Sequence, residues 1–241
     1  MKRVPIYAHR GASAYALENS SEAFNKAIEL GADGLEIDLQ LTKDLVPIVT
    51  HDPDFWRLAR NRRNVSSMEY EEVKKLKLGT SFWRLINGSS VLTFEEVLTF
   101  ASQKRIALNV ELKETFVGAP DQIDLLFNTS YKHINIHFSS FHYDVLERIK
   151  RCNPSLQTAY IGTKKTNWEE LGRLRAADAL HMHKRHCVQE KLDLAAQSNM
   201  PLRFYGINGN EKYIAKPHPS ILGWITDYPD RVRINQQKKE S

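Results

Sequence analysis

Ser21-Glu22-Ala23-Phe24-Asn25-Lys26-Ala27-Ile28-Glu29-Leu30-Gly31-Ala32-Asp33-Gly34-Leu35-Glu36-Ile37-Asp38-Leu39-Gln40-Leu41 changes its hydrophobic period halfway along, and that change decides the fold. In the first half Ala23, Phe24, Ala27, Ile28 and Leu30 recur near helical spacing, and Gly31 follows as a stop. In the second half apolar and polar residues alternate, which predicts a strand over residues 34–41.

The same succession runs outward from this stretch. Further strands are predicted at 5–8, 46–50, 106–112, 134–138, 156–160, 179–182, 202–205 and 222–225, and further helices at 93–101, 143–149 and 191–196. The helix at 93–101 opens with a capping box, Thr93 followed by Glu96. Strict alternation argues for an α/β chain with a parallel sheet. Eight units fit a (β/α)8 TIM barrel, which usually takes about 250 residues. A doubly wound open sheet is the alternative, but no GxGxxG follows the first strand. The whole chain, residues 1–241, reads as a single domain. Residues 53–90 break the rhythm as an insertion carrying Trp56, Phe82 and Trp83, with a short helix around 69–76 and a loop over one barrel face.

Composition narrows the function classes. Of 241 residues, 41% are hydrophobic and 26% charged, an ordinary globular balance. No apolar run approaches the roughly 20 residues that cross a bilayer, so membrane insertion is not expected. His9-Arg10 interrupt the basic start before a signal-peptide apolar region develops, so a cytoplasmic location is expected. The net charge of +5 lies partly in residues 57–63, 74–77 and 238–239, read as a loop, a solvated helix face and a frayed end. No nucleic-acid motif accompanies it, and a modest attraction for anionic substrates is what it supports. Cys152 and Cys187 form no CxxC pair and read as free thiols.

The chemistry gathers near the start. Glu36 and Asp38 share one face of a mostly buried strand, where two carboxylates repel unless a proton or cation intervenes. A hard divalent ion with oxygen ligands resolves that conflict, whereas a solvent-facing polar edge would avoid it. Asn109, Glu111 and Lys113 share a face of the strand at 106–112 and its end. Glu111 would complete a three-carboxylate set, and Lys113 suits a phosphoryl oxygen. A turn at Thr42-Lys43-Asp44 and the return along 46–50 bring His51 back to the same end, with Pro47 in a peripheral hairpin strand. His9 ends the first strand. Two histidines flanking a phosphate suit general acid–base work. Arg10 suits a charge-assisted grip on phosphate, and Gly11 is expected to let the backbone approach the ligand. His133, His137, His142, His181, His183, His186 and His218 read as structural or surface residues.

Taken together, His9-Arg10-Gly11, Leu17-Glu18-Asn19-Ser20, Gly34-Leu35-Glu36-Ile37-Asp38, Leu41-Thr42-Lys43-Asp44 and His51-Asp52 resemble the glycerophosphodiester phosphodiesterase family. The resemblance continues through Leu92-Thr93-Phe94-Glu95-Glu96-Val97-Leu98, Glu111-Leu112-Lys113, Ser139-Ser140-Phe141 and Thr226-Asp227-Tyr228-Pro229-Asp230. It implies a TIM barrel with a small insertion after the second barrel strand. It implies one Mg²⁺ or Ca²⁺ held by Glu36, Asp38 and Glu111, with His9 and His51 as the acid–base pair. Arg10 and Lys113 are then expected at the phosphate. The implied reaction takes a small glycerophosphodiester, such as glycerophosphocholine or glycerophosphoethanolamine, to glycerol 3-phosphate and an alcohol through a cyclic phosphate. His9 is favoured as the first base and His51 as the acid.

Some positions depart from the family pattern. Leu17 stands where proline is usual and Ser20 where threonine is common. Leu45 stands where glycine often follows Lys-Asp, which predicts another turn shape. Tyr205-Gly206-Ile207-Asn208 replaces a Trp-Thr-Val-Asn-like run, with Tyr205 still able to wall the glycerol. Rival readings are a phospholipase D-like lyase that stops at a cyclic phosphate, and a non-catalytic headgroup or nucleic-acid binding module. Such lyase toxins are secreted and disulfide-bonded, and the acid–base and carboxylate set argues against a mere binder. Oligomeric state is left open.

Overall fold

The computed structural model describes residues 3–79, 88–126 and 133–238. In chain order the first elements are β1 (Ile6–His9), α1 (Ser21–Glu29), β2 (Gly34–Leu41), β3 (Pro47–Val49), β4 (Asp54–Phe55), α2 (Trp56–Ala59), β5 (Asn61–Asn64) and α3 (Tyr70–Val73). There follow α4 (Phe94–Lys104), β6 (Ala107–Leu112), α5 (Pro120–Leu126), β7 (Ile136–Ser140), α6 (Tyr143–Cys152) and β8 (Gln157–Ile161). The last are β9 (Ala179–His183), α7 (Gln189–Gln197), β10 (Leu202–Ile207), β11 (Ile221–Thr226) and α8 (Pro229–Gln237).

The opening stretch folds as its periods require. Ser20 caps α1 by accepting from the Ala23 N–H, and Ala23, Phe24 and Ala27 are buried. Gly31 takes φ +79° beyond the helix end, and β2 then runs buried along its whole length. Its outer side chains Leu35, Ile37 and Leu39 join Phe24, Ala27, Val97 and Ala101 in the layer between strands and helices. Thr93 and Glu96 form the capping box of α4.

β1, β2 and β6 to β11 pair in parallel, and the last strand, β11, meets β1 beside β2 to close an eight-stranded barrel. The crossovers from β8 to β9 and from β10 to β11 carry only 3-10 turns, Trp168–Arg173 and Lys212–Ile214, among the described residues. β3 lies antiparallel on β2, pairing Leu41 with Pro47 and Leu39 with Val49. Pro47 opens that edge strand, where its missing N–H leaves no gap in the ladder.

The segment from β4 to α3 packs on a small core of its own, with Phe55, Leu58, Val65, Met68 and Val73 buried. Phe82 and Trp83 lie outside the described residues, as does Lys239. The basic run at 57–63 is not a simple solvated loop. Arg60 and Arg62 lie over the Trp56 ring at 5.3 and 4.2 Å, and Arg63 pairs with Glu72 at 2.7 Å.

The lower barrel interior is unusually polar. Tyr7, His137, His181 and Arg203 are buried inside it, with Arg203 beneath the Tyr7 ring at 5.7 Å and 3.3 Å from His181. Burial drives both histidines well below their ordinary range, so they sit there neutral. Gly34 is required at this level, because a Cβ would fall 2.5 Å from the Tyr7 ring. The turn at Leu45 keeps a glycine-like shape, contrary to expectation, since Leu45 takes φ +64° and its N–H donates to Thr42.

Candidate active site

Register delivers the carboxylates. β1, β2 and β6 align His9 with Glu36, Glu36 with Asn109, and Asp38 with Glu111. Glu36 is 3% exposed and Asp38 fully buried, so the solvent-facing edge is excluded. One oxygen from each of Glu36, Asp38 and Glu111 lies within 4.8 Å of the others. Burial, then the neighbouring Asp38, pushes Glu36 up to about 8. Glu111 is raised for the same two reasons. Burial would raise Asp38 too, but Arg10 and Lys113 outweigh it and hold that carboxyl down.

This set can hold a divalent cation. Asp38 Oδ2 accepts from the Asn19 amide at 3.1 Å, while buried Oδ1 has no hydrogen-bond donor among the described residues. An acceptor left bare among three carboxylates costs free energy that an oxygen-seeking ion relieves. Lys113 supplies part of the balance, 2.7 Å from Glu111 and 3.7 Å from Asp38. Arg10 supplies more, 3.1 Å from Asp38 and 3.0 Å from Glu18. Both cations expected at the phosphate are therefore engaged with carboxylates.

Each histidine is held by a carboxylate through Nδ1. β1 and β11 pair Ala8 with Thr226, so the next step along each strand sets Asp227 against His9, at 2.7 Å. Asp227 also accepts from Ser13 at 2.9 Å. The hairpin brings Thr50 back to the Asp38 carbonyl, and the following His51 meets Asp52 at 2.8 Å. Burial opposes protonation of His9, but Glu36 and Asp227 outweigh it and raise the ring.

His9, Arg10, Glu36, His51, Glu111 and Lys113 line one cavity of about 210 Å³, and Tyr205 forms part of its wall. Phe141, Ile161 and Ile225 add apolar surface, and His181 reaches it from the polar interior. Gly11 serves packing against α1. Its φ is +82°, and a Cβ would fall 2.7 Å from Ala23 of α1.

Several contributors carried no assigned role in the sequence. Glu18 and Asn19 orient Arg10 and Asp38, and Asp227 orients His9. Arg57 lies in the basic run of the insertion, yet it reaches Asp52 at 2.7 Å and Glu18 at 2.5 Å. A chain of contacts thus joins Arg10, Glu18, Arg57, Asp52 and His51. The adjacency of Asp52 to His51 was a usable signal, whereas nothing local marked Arg57 apart from its neighbours.

The molecule is a (β/α)8 barrel whose mouth carries a carboxylate cluster able to hold a divalent cation, and comparison with known proteins narrows the class further. The sequence profile of the glycerophosphoryl diester phosphodiesterase family matches residues 9–231, so the chain belongs to that family. It is 30% identical to a glycerophosphodiester phosphodiesterase of Caldanaerobacter subterraneus subsp. tengcongensis, over 97% of this chain and 98% of the relative. Among solved structures it is similar to a Thermotoga maritima glycerophosphodiester phosphodiesterase, with TM-score 0.77, 28% identity and 95% and 97% of the two chains covered. An Oleispira antarctica phosphodiesterase, solved in complex with the product sn-glycerol-3-phosphate, shares the fold at TM-score 0.83 and 24% identity, covering 97% of each chain. The protein is accordingly an enzyme, a phosphoric diester hydrolase acting on glycerophosphodiesters. No helix among the described residues is long and apolar enough to cross a membrane.

Proposed function

We propose that this chain works as a single barrel domain, residues 1–241. It takes small glycerophosphodiesters such as glycerophosphocholine or glycerophosphoethanolamine to glycerol 3-phosphate and the free alcohol, with His9 and His51 as the acid–base pair. The observation that carries this reading is that both histidines border one cavity with Nδ1 on a carboxylate, beside the triad of Glu36, Asp38 and Glu111. A ring whose Nδ1–H donates to a carboxylate keeps a bare Nε2 when neutral and a donor there when charged.

Glu36, Asp38 and Glu111 would hold one Mg²⁺ or Ca²⁺. When bound, it supplies positive charge that steadies the developing charge on the phosphoryl oxygens. His9 then takes the proton of the glycerol 2-hydroxyl as that oxygen attacks phosphorus, and His51 protonates the leaving alcohol. The roles exchange when water opens the resulting cyclic phosphate. Arg10 and Lys113 exchange part of their carboxylate pairing for phosphate oxygens, and Tyr205 walls the glycerol. The substrate is a small molecule, with no nucleic acid involved, and two free thiols suit a cytoplasmic enzyme.

The test is glycerol 3-phosphate release from glycerophosphocholine and glycerophosphoethanolamine by metal-stripped protein, with Mg²⁺, Ca²⁺ or neither restored. Metal-dependent release that His51→Ala abolishes supports the reading. Accumulation of cyclic phosphate without glycerol 3-phosphate would favour a lyase instead, and no product from any diester would remove the catalytic assignment.

A further inference from the structure

A second cavity opens beside the first. It is a groove of about 610 Å³ between the β2–β3 turn, the insertion and the segment after β6. His51 and Lys113 line both spaces, so the groove continues from the catalytic cavity past the His51 ring. The proposed function makes His51 the donor to the leaving oxygen, and what that oxygen carries must then lie on the His51 side.

The walls have a definite chemistry. Asn64 and Ser66 project from the insertion, with Glu114 and Thr115 across from them. Thr115 Oγ1 already accepts the Leu41 N–H at 2.8 Å. The side chains of Asn64, Ser66 and Glu114 are exposed and make no hydrogen bond among the described residues, and Asn64 does not cap the turn that follows it. The cationic wall is already neutralised, Lys43 by Glu69 and Lys113 by Glu111, each at 2.7 Å. Among the described residues no Phe, Tyr or Trp lines the groove, so these walls offer a quaternary ammonium no aromatic cage.

From this juxtaposition we infer that the groove receives the leaving headgroup and favours a polyol over choline. The Asn64 amide, the Ser66 hydroxyl and the Glu114 carboxylate, none in a hydrogen bond among the described residues, offer donors and acceptors that match hydroxyls. The inference rests on the proposed hydrolase reading and on His51 as the acid.

The test compares kcat/KM for glycerophosphoinositol and glycerophosphocholine with the metal-loaded full chain. The expected result is at least a tenfold preference for the inositol ester. Asn64→Ala combined with Ser66→Ala should lower kcat/KM for that ester about tenfold, the worth of one to two neutral hydrogen bonds. Turnover of glycerophosphocholine should stay within about twofold, because choline has no hydroxyl to offer a partner. Both side chains are exposed and make no hydrogen bond among the described residues, so the variant should keep the barrel. Equal rates on the two esters, or equal losses in the variant, would overturn the headgroup assignment alone. Glycerol 3-phosphate from neither ester would overturn the hydrolase reading and the groove with it.

Discussion

His9 and His51 border the same cavity and are held in the same way, but by structure of very different kinds. The partner of His9 is Asp227, which lies 218 residues away and arrives only because β11 closes the barrel against β1. The partner of His51 is the next residue, Asp52, which Arg57 in turn clamps from the insertion. Barrel closure holds one ring, and a local turn tied to a small satellite core holds the other. Two rings in one cavity therefore depend on two separately stabilised parts of the fold.

The largest effects should come from the rings themselves. His9→Ala and His51→Ala should each lower kcat by about 10² to 10⁴, the usual contribution of a general acid or base. The p-nitrophenyl ester of glycerol 3-phosphate separates the two, since it keeps the attacking 2-hydroxyl while its leaving group needs little protonation. With that substrate the His51→Ala defect should shrink below about tenfold while the His9→Ala defect persists. Equal defects on both substrates would erase the distinction between base and acid.

Next come the orienting carboxylates. Asp227→Asn and Asp52→Asn should each cost about 10- to 100-fold in kcat, the usual penalty for losing the partner that fixes an imidazole. Thermal denaturation sharpens the comparison. Asp227→Asn should lower Tm more, because Asp227 also takes the Ser13 hydroxyl and joins the two strands that close the barrel. The reverse order of Tm values would mean that the insertion contributes more to stability than the closure does.

Arg57→Met should have a smaller effect, a few-fold in kcat and less than about 1 kcal/mol in stability, because its guanidinium is partly exposed and screened. The pH dependence has a definite sign. Burial would raise Asp52, but the Arg57 and His51 partners outweigh it and hold the carboxyl below its ordinary 3.8. Such a group adds stability above that ordinary value and loses it as pH falls through the depressed one. Urea unfolding should therefore separate wild type from Arg57→Met fully at neutral pH and progressively less below about pH 4. A gap that widens in acid would contradict the Asp52–Arg57 link.

The smallest effect lies in the hairpin that returns the chain to His51. Leu45 stands at φ +64°, and Leu45→Gly should add up to about 1 kcal/mol by relieving a left-handed leucine. Equilibrium unfolding would register it, and a loss of stability would mean that the leucine side chain contributes more than its backbone costs.

By itself the sequence determined the period of each element, and hence the alternation that closes into a parallel barrel. It determined that Glu36 and Asp38 share a face, and it carried the motifs that mark the family. These are local properties, written in spacings of two and of three to four residues. Only the tertiary structure decided that Asp227 meets His9, that Arg57 leaves its basic run to join Glu18 to Asp52, and that Gly11 makes room for Ala23. It also decided that Leu45 keeps a turn that a glycine would enter freely. The physical reason is the same in each case. A charged or strained group is settled by the free energy of its surroundings after burial, and those surroundings come from strands and loops far away in the chain.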